Sequence, residues 1–382
     1  MSLKEVYINN TSSFFPNEPI SNNEMEEYLG FINGNPSRSK AIVLRNNGIK
    51  RRFYALKKDG TPTHTNAQMA ALAVRKLFDN DPEKLKSIEL ISCGTSSPDQ
   101  LMPSHGVMVH GWLPETNAVE VVSPSGVCCA GMHAFKYAYL ATKTGDVQQS
   151  VATGSERLSK SLVSSNFEDE AQKLKELAGD PYIGFEKEFL RWMLSDGAAA
   201  FLISDKKNET GISLRVEWLE GYSYANELES CMYMGSEKMS DGSLKSYLDY
   251  TPQELMEKSI FSIKQDVKLL GKNIVPYGGV GLKAALDKHG VKSSEVDYFL
   301  PHMSSEFFKD KIFQQLIVNE TGITYDKWFV NLSQVGNVGA ASVYFMVDEL
   351  FHSGKLKVGD KILLLVPESA RFSYMYGLLT VC

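Results

Sequence analysis

Residues 119–144 read VEVVSPSGVCCAGMHAFKYAYLATKT, and the fold class turns on them. Val119, Val121 and Val122 form a β-branched run that reads as a buried strand. Ser123-Pro124-Ser125-Gly126 is turn chemistry. Residues 130–141 then carry apolar side chains at helical spacing. Cys128 and Cys129 stand where the strand gives way to the helix. A thiol there meets the free N–H groups and the positive end of the helix. Both favour the thiolate, the nucleophilic form. The same N–H groups can hold the oxyanion of an attacked thioester. The pair fits equally two small residues packed into a tight corner.

Around this stretch, a length of 382 residues suggests two core units. A composition of 43% hydrophobic and 23% charged residues is that of an ordinary globular chain rather than a disordered one. A net charge of −6 speaks against nucleic-acid binding. The five cysteines (93, 128, 129, 231 and 382) are odd in number and unpatterned, which argues against a disulfide framework and for a reducing compartment. The N-terminus lacks a basic-then-apolar signal and no apolar run reaches membrane-spanning length, so a cytoplasmic protein without membrane attachment is expected. No Cys/His spacing suggests zinc, and no P-loop or GxGxxG follows a strand, so no metal or resident cofactor is expected.

Strands and helices alternate along the chain, which makes it α/β. Helices are expected over 66–78, 252–270, 282–289 and 307–321, and from Gly336-Asn337 through 351. Arg45 and the run GIKRR at 48–52 read as a solvated surface or a phosphate contact. Residues 159–194 are polar and end in FEKEFLRWML, which reads as a helical cap inserted into the first half. An internal repeat runs through the pattern. LISCGTSS resembles FLPHMSSE, CAGMHAFKYA resembles NVGAASVYFM, and TGDVQQSVATGSE resembles VGDKILLLVPES. Gly94 to His302 is 302 − 94 = 208 residues, and Cys129 to Asn337 is 337 − 129 = 208. One shared offset suggests a duplicated βα unit, with halves 1–210 and 211–382. Equivalent strand ends would then bring Cys129, His302 and Asn337 together. Cys129 can accept an acyl group. His302 and Asn337 can donate hydrogen bonds to a second thioester carbonyl and stabilise the enolate left as CO₂ departs. His302 can instead act as general base. Taken singly, His302 also fits a structural strand end, and Asn337 a helix cap.

At these residues the chain resembles the β-ketoacyl-acyl carrier protein synthase III branch of the thiolase-like superfamily. The matching motifs are CAGMHAF around Cys129, LPHMSSEF around His302, GNVGAASV around Asn337 and SDGAAAFLIS at 195–204. The resemblance implies a duplicated five-layer αβαβα fold with mixed sheets, and a homodimer. It also implies Claisen condensation: acyl transfer from a coenzyme A or acyl-carrier-protein thioester to Cys129, then attack by a malonyl- or β-ketoacyl-type extender. Cys128 takes a packing role in that alignment. The family's glycine-rich C-terminal loop is replaced by Pro367-Glu368-Ser369-Ala370-Arg371-Phe372, so the backbone of Ala370, Arg371 and Phe372 is expected to complete the oxyanion site. Arg45, Met102, Phe307 and Lys309 fall at positions resembling the family's substrate, dimer and carrier contacts. The ESARF loop and the 159–194 insertion are similar to dialkylresorcinol and flexirubin pathway ketosynthases. Two other classes stay open. One is an acyltransferase that passes the acyl-cysteine group to an alcohol or amine. The other is a non-catalytic ketosynthase-like partner subunit.

Overall fold

The structure, a computed structural model, describes residues 3–32, 34–37, 39–166 and 189–382. A mixed sheet of nine strands runs through both halves of the chain. In chain order these are β1 (Tyr7–Phe14), β2 (Leu90–Gly94), β3 (Glu120–Val122), β4 (Gln149–Glu156), β5 (Gly197–Ser204), β6 (Leu214–Ser223), β7 (Tyr298–Pro301), β8 (Lys361–Glu368) and β9 (Ser373–Val381). β1 and β6 pair antiparallel at the centre, with Tyr7 opposite Arg215. Outward from β1 the order is β5, β4, β2, β3; outward from β6 it is β9, β8, β7. Each series has two antiparallel pairings followed by parallel ones. A parallel bridge from Phe299 to Trp328 stands where β3 stands in the first series.

Five helices matter for the site: α1 (Asn66–Leu77), α2 (Cys129–Thr144), α3 (Val267–Lys288), α4 (Lys309–Val318) and α5 (Ser342–Phe351). β5 (GAAAFLIS), β8 (KILLLVPE) and β9 (SYMYGLLTV) are nearly continuous apolar runs, as strands covered on both faces require. Three cores result. One buries α1 against the first series, through residues such as Met69, Val74 and Ile91. The central one joins α2 and α5 to strands of both series, through Phe135, Phe201 and Tyr344. The third packs α3 and α4 on the second series, through Leu282, Leu316 and Tyr376. The layering is therefore helix, sheet, helix, sheet, helix. At its centre the backbones nearly touch. A Cβ on Gly131 would lie 2.1 Å from the Ala340 carbonyl oxygen, so only glycine lets α2 approach the entry to α5. No helix among the described residues is long and apolar enough to cross a membrane.

Several expected boundaries moved. The helix expected over 252–270 is a short one, Pro252–Glu257, stopped before a strand at Lys264–Gln265. The long helix is α3, which begins at the Asp266 cap, whose carboxylate accepts the Leu269 N–H, and carries Pro276 inside it. Its Gly/Pro content disguised it. Lys40–Asn47, read as loop and basic cluster, is a helix. Asn337 does not open α5 directly; a 3₁₀ turn, Gly339–Ala341, comes first. Of the 159–194 segment, residues 167–188 lie outside the described residues; short 3₁₀ turns occupy Ser159–Leu162 and Ser164–Asn166.

Asp196, at the start of the SDGAAAFLIS motif, is fully buried. Its carboxylate accepts the N–H groups of Ala55 (2.7 Å), Leu158 (2.6 Å) and Ser159 (2.9 Å), and the Ser159 hydroxyl. Burial raises its pKa and these bonds oppose the rise. Asp196→Ala would strand three buried donors, at a cost of about 3 kcal/mol or more. A urea midpoint equal to the wild type's would contradict this.

Candidate active site

β3, the turn after it and α2 deliver the cysteine pair. Cys128 occupies the cap position of α2 with helical backbone angles, and Cys129 is its first residue. Successive helical residues point about 100° apart, so the two thiols face different surroundings. Cys129 is fully buried and points its sulfur at the sheet, 3.3 Å from the Val366 carbonyl oxygen and 3.7 Å from that of Ser373. Cys128 is 8% exposed and lines a cavity of about 710 Å³.

His302 and Asn337 line the same cavity. His302 directly follows β7, held by its N–H to the Leu365 carbonyl at 2.8 Å. Burial lowers its pKa to about 4, so the imidazole is neutral near pH 7. Asn337 is clamped by its N–H to Met193 and by its carbonyl, which accepts from Ser195. Its Oδ1 accepts the Gly339 N–H at 3.0 Å, which leaves the Nδ2 group as the donor for the cavity. Much of the remaining wall is apolar, including Leu158, Met193, Ile274, Met303, Ile312 and Leu365. Asp99, Arg157 and Lys160 supply charge, with Arg157 paired to Asp99 at 3.1 Å.

The repeat thus put His302 and Asn337 on one cavity, but Cys128 rather than Cys129 joins them on its wall. The expected electrostatics also reverse. Burial pushes the Cys128 thiol well above its ordinary pKa, and the Glu368 and Glu156 carboxylates push it further. The Cys128 N–H offsets this only in part, and Glu368 Oε2 takes the N–H of Cys129 (3.0 Å), the first residue of the helix, together with that of Val127 in the preceding turn (2.9 Å). Ala370, Arg371 and Phe372 do not line the cavity, whereas Pro367 and Ser369 of the same loop do. The Ala370 carbonyl instead accepts from Cys231 and Met232, Arg371 donates to the Leu228 carbonyl at 3.1 Å, and Phe372 is buried with φ +55°.

The expected contact residues are on the surface. Arg45 is exposed on the Lys40–Asn47 helix. Met102 is 86% exposed and joined to Pro103 by a cis bond. Phe307 is half exposed beneath the Lys311 ammonium, and Lys309 pairs with Glu306 at 3.7 Å. None of the four lines the cavity. Arg52, read as part of a surface cluster, is buried and donates to Asn22 and Met25. Sequence reasoning gave Cys128 a packing role and did not single out Glu368. A signal for Glu368 existed, since the repeat TGDVQQSVATGSE and VGDKILLLVPES ends near Glu156 in one copy and Glu368 in the other.

Residues 286–367 match the family described as 3-oxoacyl-[acyl-carrier-protein (ACP)] synthase III C terminal. Over 357 residues the chain is 22% identical to beta-ketoacyl-[acyl-carrier-protein] synthase III of Clostridium perfringens, covering 92% of each. Its fold matches that of 3-oxoacyl-[acyl-carrier-protein] synthase III from Aquifex aeolicus with a TM-score of 0.67 at 21% identity, over 98% of this chain and 99% of that one. It also matches AbyA1, a tetronic acid condensing enzyme, with a TM-score of 0.72 at 17% identity and the same coverage. Over nearly its whole length the chain is thus similar in sequence to β-ketoacyl-acyl carrier protein synthase III enzymes, and it has their fold.

Proposed function

We propose that the enzyme loads an apolar acyl group onto Cys129 from a coenzyme A or carrier-protein thioester and condenses it with a second thioester of malonyl or β-ketoacyl type. The observation that carries this is the presence of His302 and Asn337 on the wall of one largely apolar cavity, with Cys129 opening α2 directly behind Cys128 of the same wall. In the first step the Cys129 sulfur attacks the donor carbonyl, the donor C–S bond breaks, and the donor thiol leaves with the proton. In the second, with a malonyl extender, CO₂ departs and the enolate carbon attacks the acyl-Cys129 carbonyl. A C–C bond forms and the Cys129 sulfur is released. Neutral His302 and the Asn337 amide donate to the enolate oxygen.

A cavity of about 710 Å³ with this lining favours medium or long alkyl chains over acetyl. The narrower assignment, a dialkylresorcinol- or flexirubin-type ketosynthase, rests on the ESARF loop and the 159–194 insertion. A homodimer is supported by the exposed Leu101, Met102, Val107 and Trp112 and by β3 at the sheet edge. A cytoplasmic setting rests on the odd number and unpatterned spacing of the five cysteines in the sequence. The test is to incubate the enzyme with a series of acyl-coenzyme A donors and malonyl-acyl carrier protein, and to read products by mass spectrometry. A β-ketoacyl product that requires an alkyl donor is expected. Exclusive acyl transfer to an added alcohol or amine would overturn the assignment.

A further inference from the structure

Between β6 and α3 the chain makes an excursion, residues 231–265, that forms one wall of the cavity. Two short strands build it, Met232–Tyr233 and Lys264–Gln265, paired antiparallel with Gln265 opposite Met232. The Gly235 N–H continues the ribbon by donating to the Ile260 carbonyl at 2.9 Å. The inner end of the ribbon is tied to the turn between β8 and β9. The Ala370 carbonyl accepts the N–H groups of Cys231 (2.8 Å) and Met232 (3.2 Å), and the Gln265 amide donates to the Ser369 hydroxyl at 3.5 Å. Just before that turn, Val366 of β8 presents the carbonyl that the Cys129 sulfur meets at 3.3 Å. The ribbon therefore starts beside the cysteine and leads away from it. Phe261, Ile263 and Gln265 line the cavity while Ser262 and Lys264 do not, as alternation along an extended segment requires. Burial falls off in the same direction. Gln265 is 8% exposed at the inner end, whereas Phe261 is 51% and Met234 49% exposed at the outer one. The wall thus reaches solvent at Phe261 and Met234, where the Tyr247 ring packs on Phe261 with centroids 5.4 Å apart.

We propose that Phe261 determines acyl-chain specificity: the alkyl chain lies along the face formed by Gln265, Ile263 and Phe261, and the Phe261 ring is the last apolar surface it meets before solvent. The proposal rests on the function above for the class of ligand, an alkyl chain carried on a thioester. From Gln265 to Phe261 an extended backbone spans at most about 13 Å, so the track suits a chain of medium length rather than acetyl. Each methylene laid against it favours binding about fourfold. Affinity should therefore climb with chain length and stop climbing once the chain end passes Phe261. Arg45, Met102, Phe307 and Lys309, the contacts that the family resemblance suggested, do not line this wall.

The test is calorimetric titration of the enzyme with S-hexyl-, S-decyl-, S-tetradecyl- and S-octadecyl-coenzyme A, thioethers that bind but cannot transfer the chain. The wild type should bind more tightly along the series and then level off. Phe261→Ala removes the last contact, worth roughly two methylenes, so the ratio of affinities at the plateau and for the hexyl compound should fall about tenfold. A ratio equal to the wild type's, including one that comes from a uniform loss across the series, would overturn the proposal. A wild type that binds no member, or all of them equally, would overturn it too. Phe261 is half exposed, so the variant should fold; if it does not, Phe261→Gln decides, because it keeps bulk but takes water and should lower the same ratio. The ketosynthase reading is scored separately, with acyl-coenzyme A donors and malonyl-acyl carrier protein. A shifted ratio without any condensation product would sink that reading and leave the chain-binding role of Phe261 standing, whereas product with an unshifted ratio would sink the proposal alone.

Discussion

Cys129→Ala is expected to lose acyl loading by a factor on the order of 10³ or more, while Cys128→Ala keeps it. Loading needs a sulfur at the start of α2, beside the cavity that His302 and Asn337 line. Cys129 is the cysteine of the CAGMHAF motif and the first residue of α2, whereas Cys128 is the cap residue before it. Replacing Cys128 removes one small contact at the helix cap, so its effect should be on stability, about 1 kcal/mol. Time courses of acyl adduct formation, followed by intact-protein mass spectrometry, separate the two variants. Normal loading of Cys129→Ala together with loss in Cys128→Ala would reverse the assignment.

His302→Ala and Asn337→Ala are expected to load acyl groups near the wild-type rate and to lose condensation by roughly 10²–10³ each. Neither side chain is needed to form the thioester at Cys129, whereas each supplies a donor to the enolate in the second step. The double variant should fall well short of the product of the two losses, because the pair holds one oxygen. His302 also fixes the acid limb of condensation. With its pKa lowered to about 4 by burial, the ring stays neutral from there upward, so the rate should hold through pH 6.5 and fall only near pH 4. Single-turnover condensation from pre-acylated enzyme measures both effects. A limb near the ordinary histidine value of about 6.5 would contradict a buried, neutral His302.

Much of the fold was legible because its signals are local or repeated. The β-branched run and the helical spacing of residues 119–144 became β3 and α2, although β3 is a half-exposed edge strand rather than the buried one expected. The 208-residue offset led to His302 and Asn337, which line one cavity although 35 residues separate them (337 − 302). The motif match named Cys129, and the structure puts it at the first position of α2. The electrostatics were not legible. A helix end favours a thiolate through its free N–H groups, and Glu368, 239 residues away in sequence, takes that of Cys129. Arg52 shows the same limit on a smaller scale. In the basic run, Arg51 is exposed and Arg52 is buried, as strand alternation demands, but composition alone makes both look like surface. The length of α3 was hidden by Pro276 and its glycines, since packing of its apolar face overrides weak helix propensity.

The most direct test is to trap the acyl-enzyme of the wild type with an alkyl acyl-coenzyme A, digest it, and fragment the peptide that spans both cysteines. Acyl mass found only on fragments that contain Cys129 is the expected result. Acyl mass on the fragment ending at Cys128 would move the nucleophile to the cap-position cysteine and contradict the site described here.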